Sequence, residues 1–111
     1  MIGRTHRFHG YGSLRGVYQR GKTARSPMLN LRYDARDPKK PYRVAVVVSR
    51  KVNKSAVVRN RIRRRMYEIV RNQDVQPGTD LVFTVFNDQL AELPAPKLQE
   101  TVSGLLEKAG K

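Results

Sequence analysis

The amino-acid sequence predicts a small α/β protein, one sheet covered by amphipathic helices. Three observations predict it. Two runs rich in β-branched residues, 42–49 (YRVAVVVS) and 80–86 (DLVFTVF), have strand character. Between them, residues 55–72 carry an apolar stripe at helical spacing. A length of 111 residues, 39% of them hydrophobic, is enough for one core and too little for a second.

Taken in order, His6 to Lys22 is a basic segment that includes Phe8, Tyr11, Leu14, Val17 and Tyr18. The spacings 11, 14, 18 and 14, 17, 18 predict one short helix, with Ser13 as its N-cap and Gly21 as its stop. Residues 28–33 (MLNLRY) alternate with a period of two, so Leu29, Leu31 and Tyr33 share one face of a strand. Residues 34–41 (DARDPKKP) are a loop. The nearly continuous apolar run at 42–49 reads as a central strand covered on both faces.

Ser55 opens a helix that runs to about Asn72, with Val58, Ile62, Met66, Ile69 and Val70 on one stripe. Pro77-Gly78 is a turn, and 80–86 is a second buried strand in which both Phe83 and Phe86 read as core. Pro94-Ala95-Pro96 introduces a last helix whose core face is Leu98, Val102, Leu105 and Leu106. The strand–helix–strand unit at 42–86 can place its two strands parallel, under two amphipathic helices. There is no internal repeat and no linker, so a single domain spans 1–111, with 1–12 read as a basic N-terminal extension.

Charge narrows the function. The net charge is +14, and it is unevenly placed. Residues 1–72 hold 20 Lys/Arg against 3 acids, whereas residues 73–111 hold 3 Lys against 6 acids. From Lys39 to Met66 there are eleven basic residues and no acid. Cations crowded in a folded domain repel one another, and a polyanion relieves that repulsion. Nucleic acid is the partner that this footprint fits. A membrane surface fits less well, since the basic helix carries no aromatic anchor on its apolar face. The absence of cysteine excludes disulfides and thiolate metal sites. With no secretory h-region and no apolar run near the roughly 20 residues of a membrane span, a cytoplasmic protein is expected.

The helix at 55–72 concentrates the cations. Arg59 and Arg63 lie four apart on one flank, Asn60 and Arg64 beside them, and Arg61 and Arg65 further round. Guanidinium forks match phosphate oxygens in a bidentate way that lysine does not. Apart from Glu68, these arginines and Arg71 have no acid at helical spacing, so they do not form a salt-bridge ladder. Arg50, Lys51 and Lys54 enter the helix at its positive dipole end, where backbone N–H groups add to an anion site. Asn60, an amide inside an arginine run, can read a base edge, a 2′-OH or a neighbouring arginine.

The run Arg50-Lys51 … Ala56-Val57-Val58-Arg59-Asn60-Arg61-Ile62-Arg63-Arg64-Arg65 resembles the signature of the bacterial ribonuclease P protein subunit, and the resemblance covers most of the chain. Leu14, Val17, Tyr18 and Gly21 resemble that family's N-terminal helix and its terminating glycine. The strand at 43–49, Asp80-Leu81-Val82-Phe83 and the Leu-rich last helix also fall where the family has them. The resemblance implies an α+β two-layer sandwich of order αβββαβα, with a left-handed strand–helix–strand crossover, rare among such units. It implies partners: ribonuclease P RNA and the 5′ leader of precursor tRNA, in a heteromeric ribonucleoprotein, with no membrane and no small-molecule substrate.

By the same resemblance Arg50, Lys51, Lys54, Arg59, Asn60, Arg61, Arg63, Arg64 and Arg65 are RNA-binding. Leu14 and Tyr18 face the leader, with Arg32 or Tyr33 on the neighbouring strand. The protein is then a subunit of an endoribonuclease whose chemistry comes from RNA, with Mg2+ held mainly by RNA and no cofactor held by protein side chains. The chain departs from the family at Leu14, where phenylalanine is usual, at Tyr67 in place of an arginine, at Asn53 in place of a glycine, and in its opening residues.

Other readings compete at several positions. Tyr18 and Tyr33 could be core aromatics packing a sheet against a helix. His6 and His9, without cysteine or nearby carboxylates, make a poor zinc site. Asp34 and Asp37 sit in a Pro/Lys loop with nothing to raise a pKa, so they make a poor catalytic pair. No nucleophile, base and orienting group stand together in the sequence. A ribosomal-type structural RNA-binding protein is the rival class. A DNA-binding regulator is weaker, for want of helix-turn-helix spacing.

Overall fold

The computed structural model describes residues 6–8 and 11–109. Helix α1 (Tyr11–Arg20) is followed by strands β1 (Lys22–Arg25), β2 (Leu29–Ala35) and β3 (Arg43–Val47). Helix α2 (Ala56–Arg71), strand β4 (Thr79–Val85), a 3-10 helix (Asp88–Ala91) and helix α3 (Ala95–Ala109) complete the order. This is the expected αβββαβα order, an α+β fold on one four-stranded mixed sheet.

The sheet order is β1-β2-β4-β3. β2 pairs antiparallel with β1 and with β4, while β3 and β4 are parallel, joined through α2. The 42–86 unit is therefore parallel, as expected, but its first strand is not central. β3 is an edge strand, and only Val44, Val46 and Val48 are buried. Ala45 and Val47 occupy its other face half-buried, and because they too are apolar they hide the period of two. The central strand is β4, with Leu81, Val82 and Phe83 consecutively buried. β1 had no sequence signal, since its four residues bury only Ala24.

Alternation sorts the sheet into two faces. One carries Leu29 and Leu31 of β2, Leu81, Phe83 and Val85 of β4, and Val44 and Val46 of β3. Against it pack Ile62, Met66 and Val70 of α2 and Leu98, Val102 and Leu105 of α3, all buried. Val58, Ile69 and Leu106, also expected inward, pack on the core partly exposed. Each fully buried aliphatic side chain contributes about 1.5–3 kcal/mol, so these two stripes hold α2 in register against the sheet.

The other face carries Asn30, Arg32 and Asp34 of β2, Val82 and Thr84 of β4, and Arg43, Ala45 and Val47 of β3. It is covered in part by α1, whose Val17 is buried, as is Val82. α1 begins at Tyr11, so Ser13 lies inside the helix and does not cap it. Gly21 does stop it: its N–H donates to the Val17 carbonyl at 2.8 Å. A Cβ there would stand 2.4 Å from that oxygen and 2.8 Å from the Tyr33 oxygen, so only glycine lets α1 end this close to β2. Gly78 has φ +78 in the turn before β4, the left-handed region that favours glycine.

Of the N-terminal extension, residues 1–5, 9 and 10 lie outside the described residues, His9 among them. His6–Phe8 run along the free edge of β3 through a parallel bridge between Arg7 and Val44. The His6 ring stacks on Tyr42 at 3.9 Å, and Phe8 lies under the Arg43 guanidinium at 4.9 Å. A covered edge does not invite pairing with another chain.

Candidate nucleic-acid interface

α2 is held at its start by Ser55, whose hydroxyl accepts from the Val58 N–H, while the Ser55 N–H donates to Asn53 Oδ1 at 2.8 Å. Asn53 Nδ2 donates to Asp88 at 3.0 Å, fastening the lead-in loop to the 3-10 helix. No acid occupies the first turn of α2, so its dipole adds to the cations of the loop. Around this end Arg50, Lys51, Lys54, Asn60, Arg61 and Arg64 are exposed. Arg59 and Arg63 are half-buried. Arg59 donates back to the carbonyls of Asn53 (3.2 Å) and Lys54 (3.4 Å), and Arg63 bonds the side-chain oxygen of Asn60. The amide therefore orients an arginine and leaves its own NH2 outward.

The arginines are not all displayed. Arg65 turns away from the others and donates to the carbonyls of Leu90, at 2.6 Å, and Leu93. Its fork closes the connection between β4 and α3. Arg61 meets Glu92 at 3.3 Å, but both are well exposed, and such a pair contributes little. Arg71 pairs with Glu68 at 2.9 Å at the far end of the helix. Arg64 makes no hydrogen bond or ion pair among the described residues.

The sheet face beside α1 forms a second surface. Leu14 is half-buried and Tyr18 is 44% exposed. Arg32 reaches under the helix end: Nε donates to the Val17 carbonyl at 3.2 Å, Nη2 to the Tyr18 carbonyl at 2.6 Å, and Nη1 to Thr23 at 2.9 Å. It thereby satisfies the Tyr18 carbonyl, which the helix terminus leaves open, adds a second donor to the Val17 carbonyl that Gly21 already engages, and ties the Tyr18 backbone to β2. The structure joins Arg32 to Tyr18 through the Tyr18 carbonyl, with Leu14 one helical turn before Tyr18 on α1. It does not bring Tyr33 to them, because Tyr33 is on the opposite face, packed against the core.

Two features escaped sequence reasoning. Asp80 is 3% exposed and receives Arg43 through Nε (2.9 Å) and Nη2 (2.7 Å) and Arg36 through Nε (3.1 Å). The hydrogen bonds that Arg43 donates to Asp80, and the charge of that carboxylate, hold the Arg43 pKa above its ordinary value against the opposing effect of burial. Arg36 also donates to the Pro41 carbonyl at 2.6 Å, so one buried carboxylate organises the 34–41 loop and the start of β3. Arg36 and Arg43 are 44 and 37 residues from Asp80, which lies in an acid-rich part of the chain, so the sequence gave no hint that these two neutralise it. The second feature is Phe86, expected in the core and found 54% exposed.

Among the described residues no nucleophile, base and orienting group stand together. Asp34 lies 3.7 Å from Arg20, Asp37 accepts from the Lys39 N–H, and Asp80 is enclosed by arginines. Among the described residues no group of three His, Cys, Asp or Glu could hold a metal ion. A groove of about 610 Å³ opens between the ends of α2 and α3 and the start of β4. It is lined by Asp74 and Glu107 and by no lysine or arginine, which makes it a poor anion site. No helix among the described residues is long and apolar enough to cross a membrane. The arrangement can bind a polyanion along α2 and a strand with accessible bases on the open sheet face.

Residues 2–110 match the family model described as Ribonuclease P. A ribonuclease P protein component from Chloroflexus aurantiacus is 37% identical over 108 residues, which is 96% of this chain and 78% of that protein. One from Roseiflexus castenholzii is 44% identical over 70 residues, covering 61% of this chain and 57% of the relative's length. Among solved structures, the RNase P protein of Staphylococcus aureus superposes with a TM-score of 0.77 at 17% identity, covering 96% of each chain. That of Thermotoga maritima superposes with 0.74 at 22% identity, over 86% of this chain and 89% of its own.

Proposed function

The chain belongs to the ribonuclease P protein family, and from that premise we propose that it is the RNA-gripping subunit of the ribonucleoprotein that removes the 5′ leader from precursor tRNA. The observation that carries the reading is the exposed cationic cluster of Arg50, Lys51, Lys54, Arg61 and Arg64 around the N-terminal end of α2, with Arg59, Asn60 and Arg63 bracing it. This surface takes the backbone of the catalytic RNA. The open sheet face, with Tyr18 tied through its carbonyl to Arg32 and Leu14 one turn before it, takes the single-stranded leader.

The residues' roles follow from their surroundings. Guanidinium groups with no internal acceptor exchange water and counterions for phosphate oxygens. Tyr18, held by its own carbonyl, offers a ring to a base, and stacking of this kind is worth about 1–3 kcal/mol per base. Leu14 supplies apolar contact without a π face. No side chain of this protein takes a proton or attacks phosphorus. Magnesium held by the RNA would supply the activated water, and the protein's cations lower the phosphate repulsion that opposes bringing substrate and catalytic RNA together. The site of action expected is the cytoplasm.

The test is cleavage of a leader-bearing precursor by the cognate ribonuclease P RNA at low magnesium. The protein is expected to stimulate cleavage, Arg61→Ala/Arg64→Ala to lose most of that stimulation, and the protein alone to cleave nothing. Tight RNA binding without any stimulation would point instead to a structural RNA-binding role.

A further inference from the structure

Among the described residues, the large apolar side chains left exposed are Tyr18, Val57 and Phe86. Tyr18 belongs to the leader-facing surface, and Val57 stands in the first turn of the cationic helix. Phe86 has no role so far, and nothing in the packing requires an aromatic ring there. Its backbone is fixed: the Phe86 N–H donates to the Met28 carbonyl at 2.9 Å, carrying the β2–β4 ladder one residue past β4. Alternation along β4 puts Phe86 on the side of Val82 and Thr84, the face that α1 covers only in part.

The two residues after Phe86 fasten the chain to the cationic loop. Asn87 accepts from the Gln89 N–H at 2.8 Å and Asp88 accepts from Asn53 at 3.0 Å. Because β3 and β4 are parallel, residues 49–55 leave the sheet at the same edge where Phe86 stands. The ring therefore marks the boundary between the open sheet face and the loop carrying Arg50, Lys51 and Lys54. An exposed aromatic beside backbone-tracking cations is the arrangement that receives a single strand.

We propose that Phe86 is a stacking platform for one unpaired base of the precursor's leader, where that strand passes from the sheet face toward the cationic loop. The inference rests on the subunit reading above. The Arg32–Val82 row, where Arg32 holds the end of α1, and the Met28–Phe86 row are four residues apart, about 13 Å along the strands. Tyr18 and Phe86 thus serve different nucleotides, and the ring at Phe86 supplies a π face that Leu14 lacks.

The experiment uses holoenzyme reconstituted with the cognate RNA, and equilibrium binding of a leader-bearing precursor and of a leaderless tRNA. Phe86→Ala and Phe86→Leu, the second keeping apolar bulk, are expected to weaken the leader-bearing substrate about fivefold or more. The leaderless tRNA is unaffected, and Phe86→Tyr binds as wild type. In a scan of single abasic positions along the leader, one position absorbs the Phe86→Ala loss. Wild-type affinity in Phe86→Leu, equal weakening of both substrates, or additive losses at every abasic position would each overturn the assignment of Phe86 alone. Wild-type protein that gives no preference for the leader would overturn the leader reading itself, and this proposal with it.

Discussion

Arg61 and Arg64 on α2, and Arg36 and Arg43 beside β4, are the same side chain put to opposite uses. The first two project from an exposed helix face, one loosely paired with Glu92 and the other with no partner among the described residues. The second two converge on Asp80, which is 3% exposed, at 3.1 Å and 2.7 Å. Arg32 and Arg65 belong with the second group, each spending its fork on backbone carbonyls. The difference lies in acceptors. Where the fold supplies a buried carboxylate or an open helix end, arginine becomes part of the scaffold. Where it supplies none, the guanidinium is left for an external anion. Among the described residues, a chain of net charge +14 therefore presents fewer free cations than its composition implies; Arg50, Lys51, Lys54 and Arg64 gather on α2 and the loop before it, while Arg15, Lys22, Arg25, Lys39 and Lys40 are exposed elsewhere.

The largest effect expected on the scaffold side is from Asp80→Ala. Removing one partner of a buried ion pair costs about 3–5 kcal/mol. Here Arg36 and Arg43 keep 25% and 20% of their side-chain surface exposed, so water recovers part of the loss and about 2–4 kcal/mol is expected. Urea unfolding measures it, and a loss under 1 kcal/mol would show that Asp80 does not organise the loop. Arg65→Ala comes next, at about 2 kcal/mol, since two charge-assisted bonds to carbonyls are lost. Thermal unfolding reads this, and an unchanged midpoint would return Arg65 to the displayed group.

Gly21→Ala ranks third, at about 1–3 kcal/mol, because the added carbon meets two backbone oxygens that cannot swing aside. It is also expected to reduce leader binding by shifting Tyr18, while leaving affinity for the catalytic RNA unchanged. Full stability in this variant would mean that α1 is not pinned to β2. The smallest stability effect is from Arg61→Ala/Arg64→Ala, within about 0.5 kcal/mol of wild type. A larger loss would mean that these arginines hold the fold as well.

How much of this was legible in the sequence depends on the range over which each signal acts. The stripe on α2 was readable because its period is local, and Ile62, Met66 and Val70 are all buried. The family signature also lay in a contiguous run of the chain. Strand order was not readable: the apolar runs at β3 and β4 look alike, and only pairing makes one an edge and the other central. The fate of individual arginines was hidden for the same reason. Arg65 differs from Arg64 only in which way the helix turns it, and its acceptors at Leu90 and Leu93 are 25 and 28 residues away. Phe86 read as core because it ends an apolar run, but it lies one residue beyond β4 and is 54% exposed. Tyr33 and Arg32 are adjacent in sequence and on opposite faces in the fold, so a strand-level reading could not choose between them.

The most direct measurement is the salt dependence of binding to the cognate ribonuclease P RNA, for wild type, Arg61→Ala/Arg64→Ala and Arg65→Ala. Each phosphate contact contributes roughly 0.7–0.9 to the log–log slope, and about six contacts give a wild-type slope near −4 to −5. The double variant is expected to be shallower by about 1.4–1.8 with unchanged thermal stability. Arg65→Ala is expected to melt earlier and keep the wild-type slope under conditions where it is folded. A slope in Arg65→Ala as shallow as in the double variant would contradict the division between scaffold and displayed arginines.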